Sequence, residues 1–400
     1  MSISYAENVP HLKSTKSHPK TAPNNPDLTI ILKDMPNPPS ESATATHITR
    51  NGDTYLTFGG CNYLGLAHHP KVIASAQAAL NTYGLSTSAS RQTTGNAQPH
   101  SDLEATLSVF TGFDDALLVP DGYTANLAAL QGLSAIGISN AVIDARAHAS
   151  LKDAAKLAQM TIHAYDHLDP DHAHQILSTL SEPSVVLTDA VFTTDGDLAP
   201  IPQLLSGIGH HILLIDDCHG FAVLGRQGRG TADHFNLSHP NLMMTTTLVK
   251  GLGCAGGVVL GSPKLVGASR DHSTAFICTT PASPALAAGA LTSLELLQTQ
   301  PSIHNQLLDN ITNTRTMLRN HGIKPHNHPT PIFAFTLGTE SDMLSIEQSL
   351  LAQRVILPLM QYPNGPAPTY FRLSINASHC KSHIDQLDTA LTLALKAQPA

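Results

Sequence analysis

Lys250 stands in Thr245-Thr246-Thr247-Leu248-Val249-Lys250-Gly251-Leu252-Gly253-Cys254-Ala255-Gly256-Gly257-Val258-Val259-Leu260-Gly261. A β-branched run leads into one lysine, then glycines, then a second apolar run. Two strands with a tight glycine-rich connection fit that pattern. A lysine at such a strand end can have its amine held away from water by the core. Desolvation favours the neutral amine, which is a nucleophile. That is what a Schiff-base lysine needs. The plain alternative is a solvated charge at a strand edge. Residues 251–256 also spell G-x-G-x-x-G. The dinucleotide fingerprint needs a helix directly after its glycines. Here Gly257 to Gly261 reads as strand, which sets that reading aside.

Upstream, the apolar run His211-Ile-Leu-Leu-Ile215 ends in Asp216-Asp217-Cys218-His219-Gly220. The Asp216 carboxylate is expected to be partly buried. A buried carboxylate is costly unless a cation or donors meet it, and a protonated pyridine nitrogen would serve. His219, three residues on, could reach the same ligand. The chain has 23 histidines, and His167-x4-His172-x-His174 and His326-x-His328 suggest metal ligation. Those runs lie in polar, Pro- and Asp-containing segments without zinc-type partners. Surface histidines and no metal are expected.

Composition narrows the classes. Four hundred residues exceed what one compact core usually holds, so more than one domain is expected. A net charge of −8 and the lack of a long basic run give no support to a nucleic-acid or anionic-membrane partner. No apolar run reaches the roughly 18 residues of a membrane span. Met1 to Asn25 is polar and has no signal-peptide apolar core. The five cysteines are odd in number, widely spaced and without C-x-x-C, which fits a reducing cytoplasm.

These residues need elements to position them. Residues 1–48 read as an N-terminal arm and linker, with Leu28 to Lys33 a short strand or helix start. From about 115 to 260, short apolar strands alternate with amphipathic helices. The strands are 116–120, 141–144, 161–165, 184–189 and 211–215. This is the pattern of a mostly parallel α/β sheet with helices on both faces. Ligands of such sheets sit outside the carboxyl ends of the strands. Gly122-Tyr123, His148, Thr193-Thr194-Asp195, Asp216 to His219 and Lys250 fall there. The expected division is a large domain over 49–285 and a smaller α+β domain over 286–400.

Taken together, Asp216-x-x-His219-Gly220, Gly225-x-x-Gly228-Arg229-Gly230 and Thr247-x-x-Lys250-x-x-Gly253 resemble the α-oxoamine synthases, especially their 8-amino-7-oxononanoate synthase-like branch. Asn62-Tyr63-Leu64-Gly65-Leu66, Ser90-Arg91, Gly122-Tyr123-x-Ala125-Asn126, His148-Ala149-Ser150, Asp195-Gly196-Asp197 and Phe276-Ile277-x-Thr279-Thr280 follow the same order. So does Arg372 to His379. The resemblance spans roughly residues 50–390.

It implies a fold type I transferase with a seven-stranded-type sheet, using pyridoxal 5′-phosphate. Lys250 would form the Schiff base, and Asp216 would keep the pyridine nitrogen protonated. His148 would stack on the ring, and otherwise is a helix-start residue. His219 would bond the phenolic oxygen or the acyl group. Gly122, Tyr123 and Thr247 would hold the phosphate, with Thr280 doing so from the other subunit of a homodimer. Thr193 would keep a hydroxyl near the ring, and Arg372 would clamp the amino-acid carboxylate. Arg372 otherwise reads as a surface arginine. The substrates would be a small amino acid and an acyl-CoA. An aminotransferase or lyase on the same scaffold stays open, as does an inactive binding protein. Ala147, Cys218, Ala222, Pro281-Ala282 and Tyr370 depart from the common pattern and bear on the substrates.

Overall fold

The computed structural model describes residues 38–362 and 365–397. Residues 1–37 of the expected arm, including Leu28 to Lys33, lie outside the described residues. The centre is a seven-stranded sheet: β1 (Asp115–Val119), β2 (Asn140–Asp144), β3 (Thr161–Tyr165), β4 (Ser184–Asp189), β5 (Ile212–Asp216), β6 (Leu242–Thr247) and β7 (Gly257–Gly261). Their order is β1-β7-β6-β5-β4-β2-β3. The run from β6 to β3 is parallel, and β7 is antiparallel to both its neighbours.

Every residue of β4, β5 and β6 is buried. Helices cover both faces, so Val185–Leu187, Ile212–Ile215 and Leu242–Met244 run apolar without alternating. The threonines of β6 are the exception that serves the site. Their hydroxyls are buried and bonded: Thr245 to Asn126, Thr246 to the Asp217 carbonyl, Thr247 to the Gly256 carbonyl. One core cluster contains Leu213, Ile215, Met244 and Leu260; another contains Leu187, Leu214, Met243 and Val259. Successive residues of one strand thus enter cores on opposite faces.

Lys250 does not stand at a strand end joined by a tight glycine turn. It is the third residue of a one-turn helix, Leu248–Gly251, between β6 and β7. Thr247 caps that turn, its Oγ1 accepting the Val249 N–H at 3.3 Å. Four residues are too few to show a helical period, so the β-branched run before them dominated the sequence pattern. The histidine runs are not simply surface groups either. His167 pairs with the buried Asp144 at 2.9 Å, His174 meets the Leu204 carbonyl, and His326 meets the Ile332 carbonyl.

Two smaller sheets lie beside the large one. Ser42–Ala43, His47–Arg50 and Asp53–Thr57 are joined by Val355–Ile356, which runs parallel to Asp53–Thr57. Ile332–Phe335, Tyr370–Ser374 and Leu359–Met360 form a three-stranded antiparallel sheet. The helix Pro284–Thr299 packs on Pro70–Tyr83 and Gln98–Thr111. Among the described residues no helix is long and apolar enough to cross a membrane.

Candidate active site

The site grows from the carboxyl ends of β4, β5 and β6 and from three helix starts: α1 (Gly122–Ala135), α2 (Ala149–Leu157) and α3 (Leu248–Gly251). Asp216 ends β5 and is only 4 % exposed. Its Oδ2 accepts from Asn126 Nδ2 at 2.7 Å, and its Oδ1 from the Cys218 N–H at 3.0 Å. Asn126, one turn into α1, also donates to Ser150 Oγ of α2 and accepts from Thr245 of β6. One carboxyl is thus locked by three elements. Asp189 ends β4 and pairs in register with Asp216. It accepts the His148 backbone N–H at 2.7 Å. Burial, and then the negative Asp216 beside it, push the Asp189 carboxyl well above its ordinary range. Two buried carboxyls side by side call for a cation.

His148 caps α2: its Nδ1 accepts the Ser150 N–H at 3.2 Å and lies 2.7 Å from Ser150 Oγ. Burial lowers its pKa. His219 is 3 % exposed. Its Nε2 lies 2.7 Å from Lys250 Nζ and its Nδ1 2.6 Å from the Tyr63 hydroxyl. Burial first, then the positive Lys250 and Arg372, push its pKa well below the ordinary value.

At the opposite end lies the start of α1. Asp121 caps it by accepting the Thr124 N–H at 2.8 Å. A Cβ on Gly122 would stand 2.9 Å from Thr247 Cβ and 3.2 Å from Cys218 Sγ. Glycine lets the helix end approach β6 this closely. Tyr123 donates its hydroxyl to Asp153 at 2.5 Å. A cavity of about 160 Å³ opens between these groups. Gly122, Tyr123, His148, Asp216, His219, Thr247 and Lys250 all line it, together with Ser150, Asp189 and Cys218.

Thr193 and Arg372 line a separate cavity of about 190 Å³ with Tyr362, Tyr370 and Cys61. Arg372 Nε donates to the Thr193 carbonyl at 2.6 Å, and Nη1 to Ser374 Oγ at 2.9 Å. It is therefore not a surface arginine. Thr280 is exposed and lines neither cavity.

Three residues at the site carry no role in the sequence reading. Asp189 had a usable signal, because it ends an apolar strand as Asp216 does. Asn126 had a weaker one, four residues after Gly122 on the same helix face. Tyr63 stood in the shared run Asn62 to Leu66, but nothing local gave it a role, since its partner is 156 residues away.

The cavity fits pyridoxal phosphate by its donor set. A buried carboxyl pair meets a protonated ring nitrogen, an amine meets a carbonyl, and a helix N-terminus behind a glycine meets a phosphate.

Comparison with known proteins agrees with this fit. The aminotransferase class I and II family matches residues 53–391. An 8-amino-7-oxononanoate synthase of Stutzerimonas stutzeri is 34% identical over 356 residues, covering 88% of this chain and 90% of that protein. SPT, serine palmitoyltransferase, solved with its PLP internal aldimine, superposes with a TM-score of 0.84 at 25% identity, over 90% of this chain and 92% of that one. The 8-amino-7-oxononanoate synthase of Francisella tularensis shares the fold, with a TM-score of 0.73 at 23% identity, over 86% of this chain and 97% of that one. The chain belongs to the aminotransferase class I and II family, and within it is a pyridoxal-phosphate-dependent enzyme of the α-oxoamine synthase type, an acyltransferase.

Proposed function

We propose that the chain condenses a small α-amino acid with an acyl-CoA, releasing CoA and CO2 and leaving an α-amino ketone. Alanine with a pimeloyl-type donor is the first choice, because 34%-identical relatives are 8-amino-7-oxononanoate synthases. That choice would place the enzyme in biotin biosynthesis. The likeness to serine palmitoyltransferase, and Tyr370 where a first arginine is common, favour serine or glycine with another donor as the second reading.

The observation that carries the proposal is the Lys250–His219 pair, 2.7 Å apart in a cavity floored by Asp216. Pyridoxal phosphate, when bound, supplies an electron sink for charge at the amino-acid Cα. The protein does the rest. Asp216, fixed by Asn126 and the Cys218 N–H, holds the proton on the ring nitrogen. The start of α1 would hold the phosphate, Thr247 would stand beside it with its hydroxyl given to the Gly256 carbonyl, and Thr280 of a second copy would complete the site in a homodimer. His148 would cover the ring, and Thr193 would offer a hydroxyl toward the site. Arg372, which also bonds Tyr63 and Cys61, would turn part of its guanidinium to the substrate carboxylate and set the Cα–H toward Lys250. Such positioning supplies up to roughly 7–11 kcal/mol in well-set cases. Lys250 Nζ takes the Cα proton. His219 donates to the thioester oxygen as negative charge develops there. A cytoplasmic location fits the dispersed cysteines. A panel of amino acids against acyl-CoAs, read as free thiol, tests the assignment. Release with one small amino acid and one donor class is expected; no release from any pair would sink it.

A further inference from the structure

Tyr63 is wholly buried in the loop after Asp53–Thr57 and is tied down at every polar atom. Its N–H donates to the Lys250 carbonyl at 3.1 Å, and its carbonyl accepts the Ala377 N–H at 2.8 Å. Its hydroxyl lies 2.6 Å from His219 Nδ1, while His219 Nε2 lies 2.7 Å from Lys250 Nζ. Both ring nitrogens therefore have a protein partner.

A neutral imidazole carries one hydrogen, so one nitrogen donates and the other accepts. A lysine ammonium can only donate. Facing it, Nε2 must accept and the ring hydrogen sits on Nδ1, toward the Tyr63 oxygen. Once Lys250 is covalently engaged with the cofactor it no longer makes that demand. A hydroxyl can then reverse its role and donate to Nδ1. Tyrosine serves both arrangements, and phenylalanine serves neither.

We propose that Tyr63 is a positioning residue that selects the ring tautomer of His219. With the cofactor bound, its hydroxyl donates to Nδ1 and directs the single ring N–H from Nε2 into the cavity. Burial pushes the Tyr63 hydroxyl well above its ordinary range, so it keeps the proton it donates. Burial, and then the positive Arg372, keep the His219 ring neutral. His219 then meets the thioester oxygen as a neutral hydrogen-bond donor and not as a base. This role rests on the synthase reading, but the tautomer itself is observable without turnover.

The test is 15N-histidine NMR of the cofactor-loaded enzyme without substrate, with the His219 signals assigned by their loss in His219→Asn. The wild type should show Nε2 protonated and Nδ1 as a hydrogen-bonded acceptor. Tyr63→Phe should remove the hydrogen-bonded Nδ1 acceptor signature and leave the ring in a mixture of tautomers. It should also lower kcat by about tenfold or more, with KM for the amino acid and the cofactor Kd within about threefold of wild type. An Nδ1–H tautomer in the loaded wild type overturns the proposal, whatever the variant does. So does a Tyr63→Phe enzyme that keeps both tautomer and kcat. If Tyr63→Phe fails to fold, the wild-type spectrum alone decides. An Nε2–H spectrum in an enzyme that releases CoA from no acyl-CoA would defeat the synthase reading and leave the tautomer assignment standing.

Discussion

The proposed chemistry rests on Lys250 and Asp216, whose surroundings fix their partners. Lys250 faces His219 at 2.7 Å and has its own carbonyl bonded by Tyr63. Lys250→Ala should abolish both turnover and the cofactor adduct trapped by borohydride; peptide mapping that finds the adduct on another lysine would refute the assignment. Arg372 already spends Nε and one Nη1–H on Thr193 and Ser374. The rest of its planar fork also meets Tyr63 and Cys61, and a lysine ammonium cannot reproduce that arrangement. Arg372→Lys should weaken amino-acid binding at least about tenfold and cofactor binding little, measured by absorbance titration. Lys250 and Asp216 were legible because a charged residue after an apolar run is a local anomaly. His219 was legible from its place three residues after Asp216 and Gly122 from the carboxyl end of an apolar strand, but their particular roles came only from spacing shared with a family. Tyr63, Asn126 and Asp189 act through partners on other elements, and no window of sequence contains such a pair.

Among elements, the strands were the most readable, since burial on both faces leaves an uninterrupted apolar run. The one-turn helix α3 was not, although it aims Lys250. The start of α1 is where element geometry decides affinity. Alanine at Gly122 would gain at most about 1 kcal/mol in helix preference. Its Cβ would meet Thr247 Cβ at 2.9 Å, and overpacking of that kind costs about 1–3 kcal/mol. The clash should win, because Thr247 is held by Gly256 and Val249 and cannot retreat. Gly122→Ala should therefore raise the cofactor Kd roughly tenfold while leaving the far-UV spectrum unchanged. An unaltered Kd would mean that the helix end does not hold the phosphate.

For the molecule as a whole, an early strand and a late loop of the chain meet at His379. Its Nε2 donates to the Thr57 carbonyl at 3.0 Å and its Nδ1 accepts the Asn376 N–H at 3.1 Å. Burial lowers its pKa to about 4 from the usual 6.5. The unfolded chain thus binds a proton between pH 6.5 and 4 that the folded chain refuses. This group's effect is absent above pH 6.5, and it removes stability as pH falls toward 4. The loss should reach about 2 kcal/mol by pH 5. Urea titrations at pH 7 and 5 should show it, and His379→Gln should flatten that dependence without abolishing it, because burial also lowers His100, His304 and His326. Equal acid sensitivity in wild type and variant would contradict the assignment. The central claim, that this site makes a carbon–carbon bond at Cα and then loses CO2, is tested most directly by stoichiometry. With its amino acid and acyl-CoA, the enzyme should release CoA and CO2 in equal amounts, and Cα-proton exchange should occur with the amino acid alone and quicken when acyl-CoA is added. Turnover that depends on a keto acid, with no CoA released from any acyl-CoA, would contradict it.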